Sequence, residues 1–188
     1  MRQIVLFAAI GLVASGLVMA RVVWRGVTGP LAIPPVDAAD LYRLRARGLG
    51  LPVEGMKASE LRDSFAEARG EREHEALDIL APRGSRVVAV DDGRVVKLFR
   101  SARGGLTVYQ FDATETFCYY YAHLDGYAPG LDEGDLLRKG SLVGYVGTTG
   151  NAPRDTPHLH FTVFKLGPGK RWSEGRPINP FPLLRLQG

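Results

Sequence analysis

The sequence predicts a mainly β protein, with an antiparallel β-sheet or sandwich as its core and an apolar helix at its N terminus. Beyond Leu51, short apolar runs of strand length alternate with turn-like segments. The 23 glycines and 12 prolines favour a chain with many turns over a helical bundle. An apolar content of 45% over 188 residues is enough for one domain with its own core.

The first residues have the pattern of an export segment. A single arginine precedes an uncharged apolar run, Ile4–Ala20, which ends in the small-residue cleavage pattern Val18-Met19-Ala20. Extended through Val22–Trp24, the same run is long enough to span a bilayer, with the tryptophan at the interface. Residues 1–25 are therefore predicted to be a signal peptide or a signal anchor. Both place the rest of the chain outside the cytoplasm, in the periplasm or beyond, anchored to the inner membrane or secreted.

Residues 26–50 are predicted to form a linker with one short helix. Glycine and proline punctuate Thr28–Val36, and Asp37 is a suitable N-cap for a helix that runs to Arg47. Gly48 and Gly50 end this helix. Its predicted apolar side consists of Ala38, Leu41, Leu44 and Tyr42.

The main domain is predicted to span residues 51–184. Turn residues Asp91-Asp92-Gly93 predict a hairpin between the first two strands, and Ser59–Ala68 is predicted to hold one short helix. The predicted strands are Arg86–Val90, Arg94–Phe99, Leu106–Phe111, Thr116–Leu124, Ser141–Val146 and His158–Phe164.

The last of these strands contains two histidines on one face. Side chains two residues apart in a strand point the same way, so His158 and His160 lie side by side. Two imidazoles in this arrangement can share a metal ion, or one can bind the metal while the other transfers protons. The spacing does not distinguish these roles.

A second motif offers further metal ligands. His74 and Asp78 are four residues apart, which fits one face of a helix or one face of a strand. Together with one member of the His158/His160 pair, they would form the two-histidine, one-carboxylate set of a catalytic zinc site. The His-Glu-x-x-His helix of zincin proteases is excluded, because it requires a histidine at position 78.

The fourth histidine lies in a strand rich in tyrosine. By alternation, Tyr119, Tyr121 and His123 share one face of that strand. A histidine near an activated water can act as a general base or stabilise an oxyanion. A single histidine is more often structural, but four histidines and an acid in three short motifs indicate one site.

Composition excludes some functions. Cys118 is the only cysteine, so the chain has no intramolecular disulfide, and its apolar neighbours indicate a buried side chain and not a nucleophile. The net charge of +4 is compatible with a mildly basic surface or with attraction to an anionic polymer or membrane. Basic runs interleaved with aromatic residues are absent from the sequence, which argues against nucleic acid.

The order of four motifs resembles the M23 peptidases, the lysostaphin-type or LytM family of zinc metallo-endopeptidases that cut peptide bridges in bacterial peptidoglycan. The similarity extends from Leu51 to Pro182. The motifs are His74-x-x-x-Asp78, Tyr121-Ala122-His123-Leu124, Gly147-Thr148-Thr149-Gly150 and His158-Leu159-His160-Phe161.

The resemblance implies specific roles for these residues. His74, Asp78 and His160 become the ligands of Zn²⁺, and His123 and His158 become the catalytic pair beside it. It further implies an antiparallel sheet with the site in a groove, one wall of which is Thr148–Pro153.

Two departures from the family pattern stand out. Some relatives have a tyrosine before the first zinc histidine, credited with stabilising the oxyanion, whereas Phe65–Gly70 contains none. Relatives also have a glycine at the position of Ala76, a replacement that we expect to be tolerated.

The expected function is zinc-dependent endopeptidase activity on the crosslinks or stem peptides of peptidoglycan. The alternative is a catalytically silent LytM-type module that binds cell wall or activates another hydrolase. Gly134–Gly144 is similar to biotinyl or lipoyl carrier hairpins, but Lys139, between Arg138 and Gly140, does not fit a modified lysine. The bond cut is predicted to be a meso-diaminopimelate crosslink, with a glycine bridge as the alternative. The expected partners are peptidoglycan and, if the N-terminal helix is uncleaved, the membrane; the sequence identifies no protein regulator.

Overall fold

The computed structural model describes residues 32–187. The predicted signal segment, residues 1–25, lies outside this range. Among the described residues, no helix is long and apolar enough to cross a membrane. The helices are α1 (Ala38–Arg47) and α2 (Phe181–Leu184), with single 3₁₀ turns at Ala58–Glu60 and Arg185–Gln187.

Eleven strands account for most of the regular structure in this range, which confirms the predicted mainly β class. They are β1 (Ala68–Arg69), β2 (Arg72–Glu73), β3 (Leu77–Leu80), β4 (Arg86–Val88), β5 (Gly93–Ser101), β6 (Gly105–Asp112), β7 (Phe117–Tyr127), β8 (Leu136–Leu137), β9 (Leu142–Val146), β10 (His158–Leu166) and β11 (Gly175–Ile178).

Nine of these strands form one antiparallel sheet, with the order β11-β10-β7-β6-β5-β8 along its main path. One edge of β10 pairs with β3 over its first half and with β11 over its second half, while the other edge pairs with β7. The far end of β7 pairs with β9, which pairs with β4. Strands β1 and β2 form a separate hairpin. Strand β10 therefore brings together segments from three distant parts of the sequence.

The two faces of β10 have different roles. Leu159, Phe161 and Val163 are buried in the hydrophobic core, where Phe161 pairs with Tyr121 of β7. The alternate residues, including His158 and His160, point to the other face, because successive side chains of a strand point in opposite directions. Burial of the apolar face thus fixes which way the histidines point.

The predicted hairpin at Asp91-Asp92-Gly93 is wrong. Strand β4 pairs with β9, and β5 pairs with β6 and β8. Buried polar groups hold the connection inside the protein: the hydroxyl of Tyr119 donates to Asp91, and the side-chain amide of Gln110 donates to the Asp91 carbonyl. These bonds satisfy the buried polar groups of a turn that connects β4 to β5. The two strands pair with other strands and not with each other, so the turn does not form a hairpin.

The predicted helix at Ser59–Ala68 is also wrong, since only one 3₁₀ turn, Ala58–Glu60, forms at its start. Ser64 bonds outside the segment: its hydroxyl accepts from the backbone N–H of Asp78, and its carbonyl accepts from His74. A serine that bonds to distant groups in this way does not contribute to a helical ladder.

Helix α1 forms as predicted, with a capping box between Asp37 and Asp40 at its start and a left-handed Gly48 at its end. Leu44 is fully buried, but Tyr42 is 74% exposed, so its predicted place on the apolar side is wrong. Ion pairs from Arg47 to Asp91 and Asp112, and from Lys165 to Asp40, join this helix to the sheet.

A candidate metal centre in the main groove

Asp78 and His160 are direct partners across the antiparallel pair of β3 and β10. Directly paired residues point to the same face of a sheet. The carboxylate Oδ1 of Asp78 consequently lies 3.1 Å from Nδ1 of His160.

His74 reaches the same point from outside regular structure. The residue lies between β2 and β3, so neither the helix nor the strand predicted from its spacing to Asp78 is present. Glu75 has a left-handed φ of 59°, which is uncommon for a residue with a side chain. Its N–H donates to Phe65 and its carbonyl accepts from the hydroxyl of Thr162, so the reversal is held on both sides.

The turn places Nε2 of His74 3.0 Å from Oδ1 of Asp78 and 3.1 Å from Nδ1 of His160. Nδ1 of His74 donates its proton to the carbonyl of Ser64, so in the neutral ring Nε2 carries a lone pair. Three electron-rich atoms thus face one another, and such an arrangement needs a proton or a cation between them.

This donor set fits a zinc ion. Two imidazole nitrogens and one carboxylate oxygen are the ligands of many catalytic zinc sites, which leave the fourth position open. Tetrahedral ligands about 2.0–2.1 Å from zinc are about 3.3 Å apart. The three atoms of His74, Asp78 and His160 need to separate by only a few tenths of an ångström from the distances given above to accommodate the ion.

The cluster is electrostatically coupled. Burial raises the pKa of the Asp78 carboxyl, but hydrogen bonds with His160 and His74 outweigh burial and hold it far below its usual range. Burial lowers the pKa of His160, and the bond to Asp78 only partly opposes it. Burial also lowers the pKa of His74, but the hydrogen bond and charge of Asp78 together with the bond to the Ser64 carbonyl outweigh burial, so this pKa is raised. Asp78 is therefore a carboxylate, ready to bind a cation.

His158 lies beside this cluster and is buried. Its Nδ1 donates to the carbonyl of Thr156 at 2.9 Å, and its Nε2 is 3.6 Å from Oδ1 of Asp78. Because the Nδ1 proton is engaged, Nε2 of the neutral ring is free to accept a proton.

His123 reaches the site through a β-bulge. Between the pairs Leu106–Leu124 and Val108–Tyr121, strand β7 has one residue more than β6, and His123 has a φ of 60°. The prediction that His123 shares a face with Tyr119 and Tyr121 is wrong, because that face is the core face. The extra residue instead directs it to the opposite face, where its ring centroid is 4.9 Å from that of His158.

Thr149 holds the His123 ring. Its carbonyl accepts from Nδ1 of His123 at 2.8 Å, and its hydroxyl donates to the Leu124 carbonyl and accepts from the Leu106 N–H. Burial lowers the pKa of His123 to about 4 despite the bond to Thr149. The imidazole is therefore neutral near pH 7, with Nε2 available as a proton acceptor.

The four histidines and Asp78 line one groove of about 560 Å³. Segment 151–153 forms part of its wall, within the predicted Thr148–Pro153. Its other walls come from the β1–β2 hairpin and from the turn between β5 and β6. The further lining residues are Arg69, Arg72, Glu73, Glu75, Leu80, Arg103, Gly104, Tyr120 and Thr156.

Sequence reasoning missed several of these side chains. Tyr120 shares the face of His160, with its ring edge-on to the imidazole at a centroid distance of 6.0 Å. Alternation in the sequence places Tyr120 on the face opposite His123, and only the pairing of Ala122 with His160 shows that this face borders the groove. Arg69, whose guanidinium lies 2.8 Å from Oδ2 of Asp78, had no comparable signal, because the hairpin that carries it is only two residues long on each side.

Comparison with known proteins agrees with this geometry. The model of peptidase family M23 matches residues 72–180, more than half of the chain. The L-Ala–D-Glu endopeptidase of Bacillus subtilis is 33% identical over an alignment of 132 positions, which covers 66% of this chain but only 39% of that protein.

Two solved structures share the fold. The lytM protein of Ruminococcus gnavus, named for glycyl-glycine endopeptidase activity, has a TM-score of 0.57 and 32% identity, covering 66% of this chain and 52% of that one. The catalytic domain of lysostaphin from Staphylococcus simulans has a TM-score of 0.52 and 26% identity, covering 60% and 80%.

Proposed function

Because the chain belongs to peptidase family M23, we propose that it is a zinc-dependent endopeptidase that hydrolyses the crosslinks or stem peptides of bacterial peptidoglycan. The observation that carries the proposal is the convergence of His74, Asp78 and His160 within a groove that also contains His123 and His158. The name of the Bacillus subtilis relative, an L-Ala–D-Glu endopeptidase, supports a cell-wall peptide as the substrate.

His74, Asp78 and His160 would hold the zinc ion. The bound ion would supply a Lewis acid that polarises the scissile carbonyl and lowers the pKa of the attacking water. The Asp78 carboxylate offsets part of the ion's charge, and the Ser64 carbonyl fixes the tautomer of His74 so that Nε2 faces the ion.

His123 and His158 would move the proton. Both rings donate from Nδ1 to backbone carbonyls and keep Nε2 as the acceptor, so either ring has the form of a general base. Once protonated, the same nitrogen becomes a donor that can stabilise negative charge on the tetrahedral intermediate or protonate the leaving amine. Burial lowers the pKa of His123, so its imidazole is deprotonated at neutral pH and can accept a proton.

Zinc content and wall hydrolysis, measured on three proteins, test the proposal. We expect the wild-type chain to bind one zinc ion and to release new amino groups from purified cell walls. His160→Ala should lose both properties, whereas His123→Ala should keep the zinc and hydrolyse more slowly. Full activity in a zinc-free His160→Ala protein would overturn the proposal. Wall binding without hydrolysis by the zinc-loaded wild type would instead support the silent module.

The proposal includes a location outside the cytoplasm, anchored to the inner membrane or secreted. Its support is the export pattern of residues 1–25 in the sequence. Fractionation of cells that express the full-length chain checks it: the protein should be recovered with the periplasm, the medium or the inner membrane, and recovery in the cytoplasm would contradict it.

A further inference from the structure

The β1–β2 hairpin presents two like charges side by side at the groove. Arg69 and Arg72 are direct cross-strand partners, and both line the groove. Directly opposed residues in an antiparallel pair have Cβ atoms about 4.5–5.5 Å apart and point the same way. Like charges in this position destabilise a hairpin unless an anion lies between or beside them.

Among residues 32–187, only one of the two arginines has a carboxylate partner. Arg69 pairs with Asp78 and, at 3.5 Å, with Glu67. Arg72 has no carboxylate within ion-pair distance among residues 32–187. A guanidinium presents a planar fork of donors that matches a carboxylate in two-point contact. Because Arg69 is paired with Asp78, the guanidinium of Arg72 is the one that can bind a carboxylate at the groove.

We infer that Arg72 binds a free carboxylate of the substrate, next to the scissile bond, and thereby selects acidic cell-wall peptides over neutral ones. The inference rests on the proposed function and deepens it. The position follows from the hairpin: the cross-strand partner of Arg72 contacts Asp78 of the candidate metal centre, so a carboxylate on Arg72 belongs to a residue adjacent to the bond being cut.

The groove is not uniformly basic. Two acidic residues, Glu73 and Glu75, line the groove together with the basic residues Arg69, Arg72 and Arg103. The selection therefore comes from the fork of Arg72 at one position, and not from a net positive charge that would attract any polyanion. Of the two candidate bonds, a diaminopimelate crosslink carries such a carboxylate, whereas an internal glycine bridge does not.

The test compares two forms of one substrate. Cell walls with free stem-peptide carboxylates are first acetylated to block their amino groups, which gives the acidic wall. Half of this material is then treated with carbodiimide and ammonia, which converts the carboxylates to amides and gives the amidated wall. Initial rates are measured as new amino groups, with zinc-loaded full-length protein. The variants are Arg72→Gln, Arg72→Lys and, as a matched control, Arg45→Gln on the exposed side of α1.

We expect the wild type to hydrolyse the acidic wall about tenfold faster than the amidated wall, the size of one charge-assisted contact. Arg72→Gln should abolish the preference, so that the ratio of the rates on the acidic and the amidated wall falls from about ten to about one. Arg72→Lys should restore part of the preference, and Arg45→Gln should behave as the wild type.

Three results would overturn the inference. Equal wild-type rates on the two walls would show that the carboxylate is not recognised, and an equal loss on both walls in Arg72→Gln would indicate a structural role. In a further assay with a glycine-bridged wall as the substrate, faster hydrolysis of that wall than of the acidic wall would contradict the substrate class. Each of these results is compatible with the proposed function. If the zinc-loaded wild type hydrolyses none of the walls, both the proposed function and the inference are rejected.

Discussion

The guanidinium of Arg69 lies 2.8 Å from Oδ2 of Asp78, while Oδ1 of the same carboxylate faces His74 and His160. The two oxygens of one side chain thus have separate partners. Arg69 belongs to the β1–β2 hairpin, which is not part of the main sheet. A small accessory element therefore orients a candidate metal ligand.

Arg69→Ala should weaken zinc binding roughly tenfold, because partners that orient metal ligands typically contribute this much to affinity. Competition with a chromophoric chelator measures the affinity directly. Arg62→Ala is the matched control, since Arg62 is 84% exposed and pairs with Glu67 and not with Asp78. An unchanged zinc affinity in Arg69→Ala would show that the sheet alone positions the carboxylate.

Thr149→Val should lower turnover about tenfold while zinc content stays the same. The isosteric change removes the hydroxyl that joins the Thr149 loop to Leu106 and Leu124, so the carbonyl that holds His123 loses its fixed position. Steady-state kinetics and zinc analysis of the purified variant separate the two effects. Thr148→Val, the same change one residue earlier, is the control, and equal losses in both variants would argue against a specific role for Thr149.

Arg47→Ala should destabilise the protein by roughly 2 kcal/mol, because it leaves the fully buried carboxylate of Asp112 without its cationic partner. The loss is smaller than for a fully buried pair, since Arg47 keeps 20% of its side chain exposed. Urea unfolding measures the difference in the free energy of unfolding. Arg43→Ala on the same helix should change it by less than about 0.5 kcal/mol, because Arg43 is 61% exposed. Similar effects of the two substitutions would contradict the importance of the Arg47 contacts.

The free energy of unfolding should decrease when the pH is raised above about 9. Burial raises the pKa of the Cys118 thiol above its ordinary value of 9.0, and burial likewise raises that of Tyr119. Above pH 9 the unfolded chain loses these protons and the folded chain retains them, so the free energy of unfolding falls as pH rises. Urea midpoints measured from pH 7 to 10.5 should decline beyond pH 9, and Cys118 should react with iodoacetamide only in the unfolded protein. Rapid labelling of the native thiol would contradict its burial.

The sequence was sufficient for those parts of the fold that follow regular periodicity. Strand β10 lies where its apolar alternation predicted it, and His158 and His160 share the face that a period of two requires. Helix α1 begins at its N-cap and ends at its glycine, since both signals act within a few residues.

The remaining features depend on contacts between distant segments. The left-handed backbone of Glu75 is held by Phe65 and Thr162, and the crossing after β4 is held by Tyr119 and Gln110. None of these contacts has a local signature. The positions of Arg69 and Arg72 at the groove likewise depend on a hairpin that is too short to recognise in the sequence.

The bulge in β7 makes strand length a functional property of this protein. Deleting Ala122 would restore the regular pleat and move the histidine into the place of Ala122, directly opposite His160 and away from the Thr149 carbonyl that now holds its ring, although every histidine would still be encoded. An enzyme engineer who transplants this groove must therefore copy the number of residues between Tyr121 and Leu124 as faithfully as their identities.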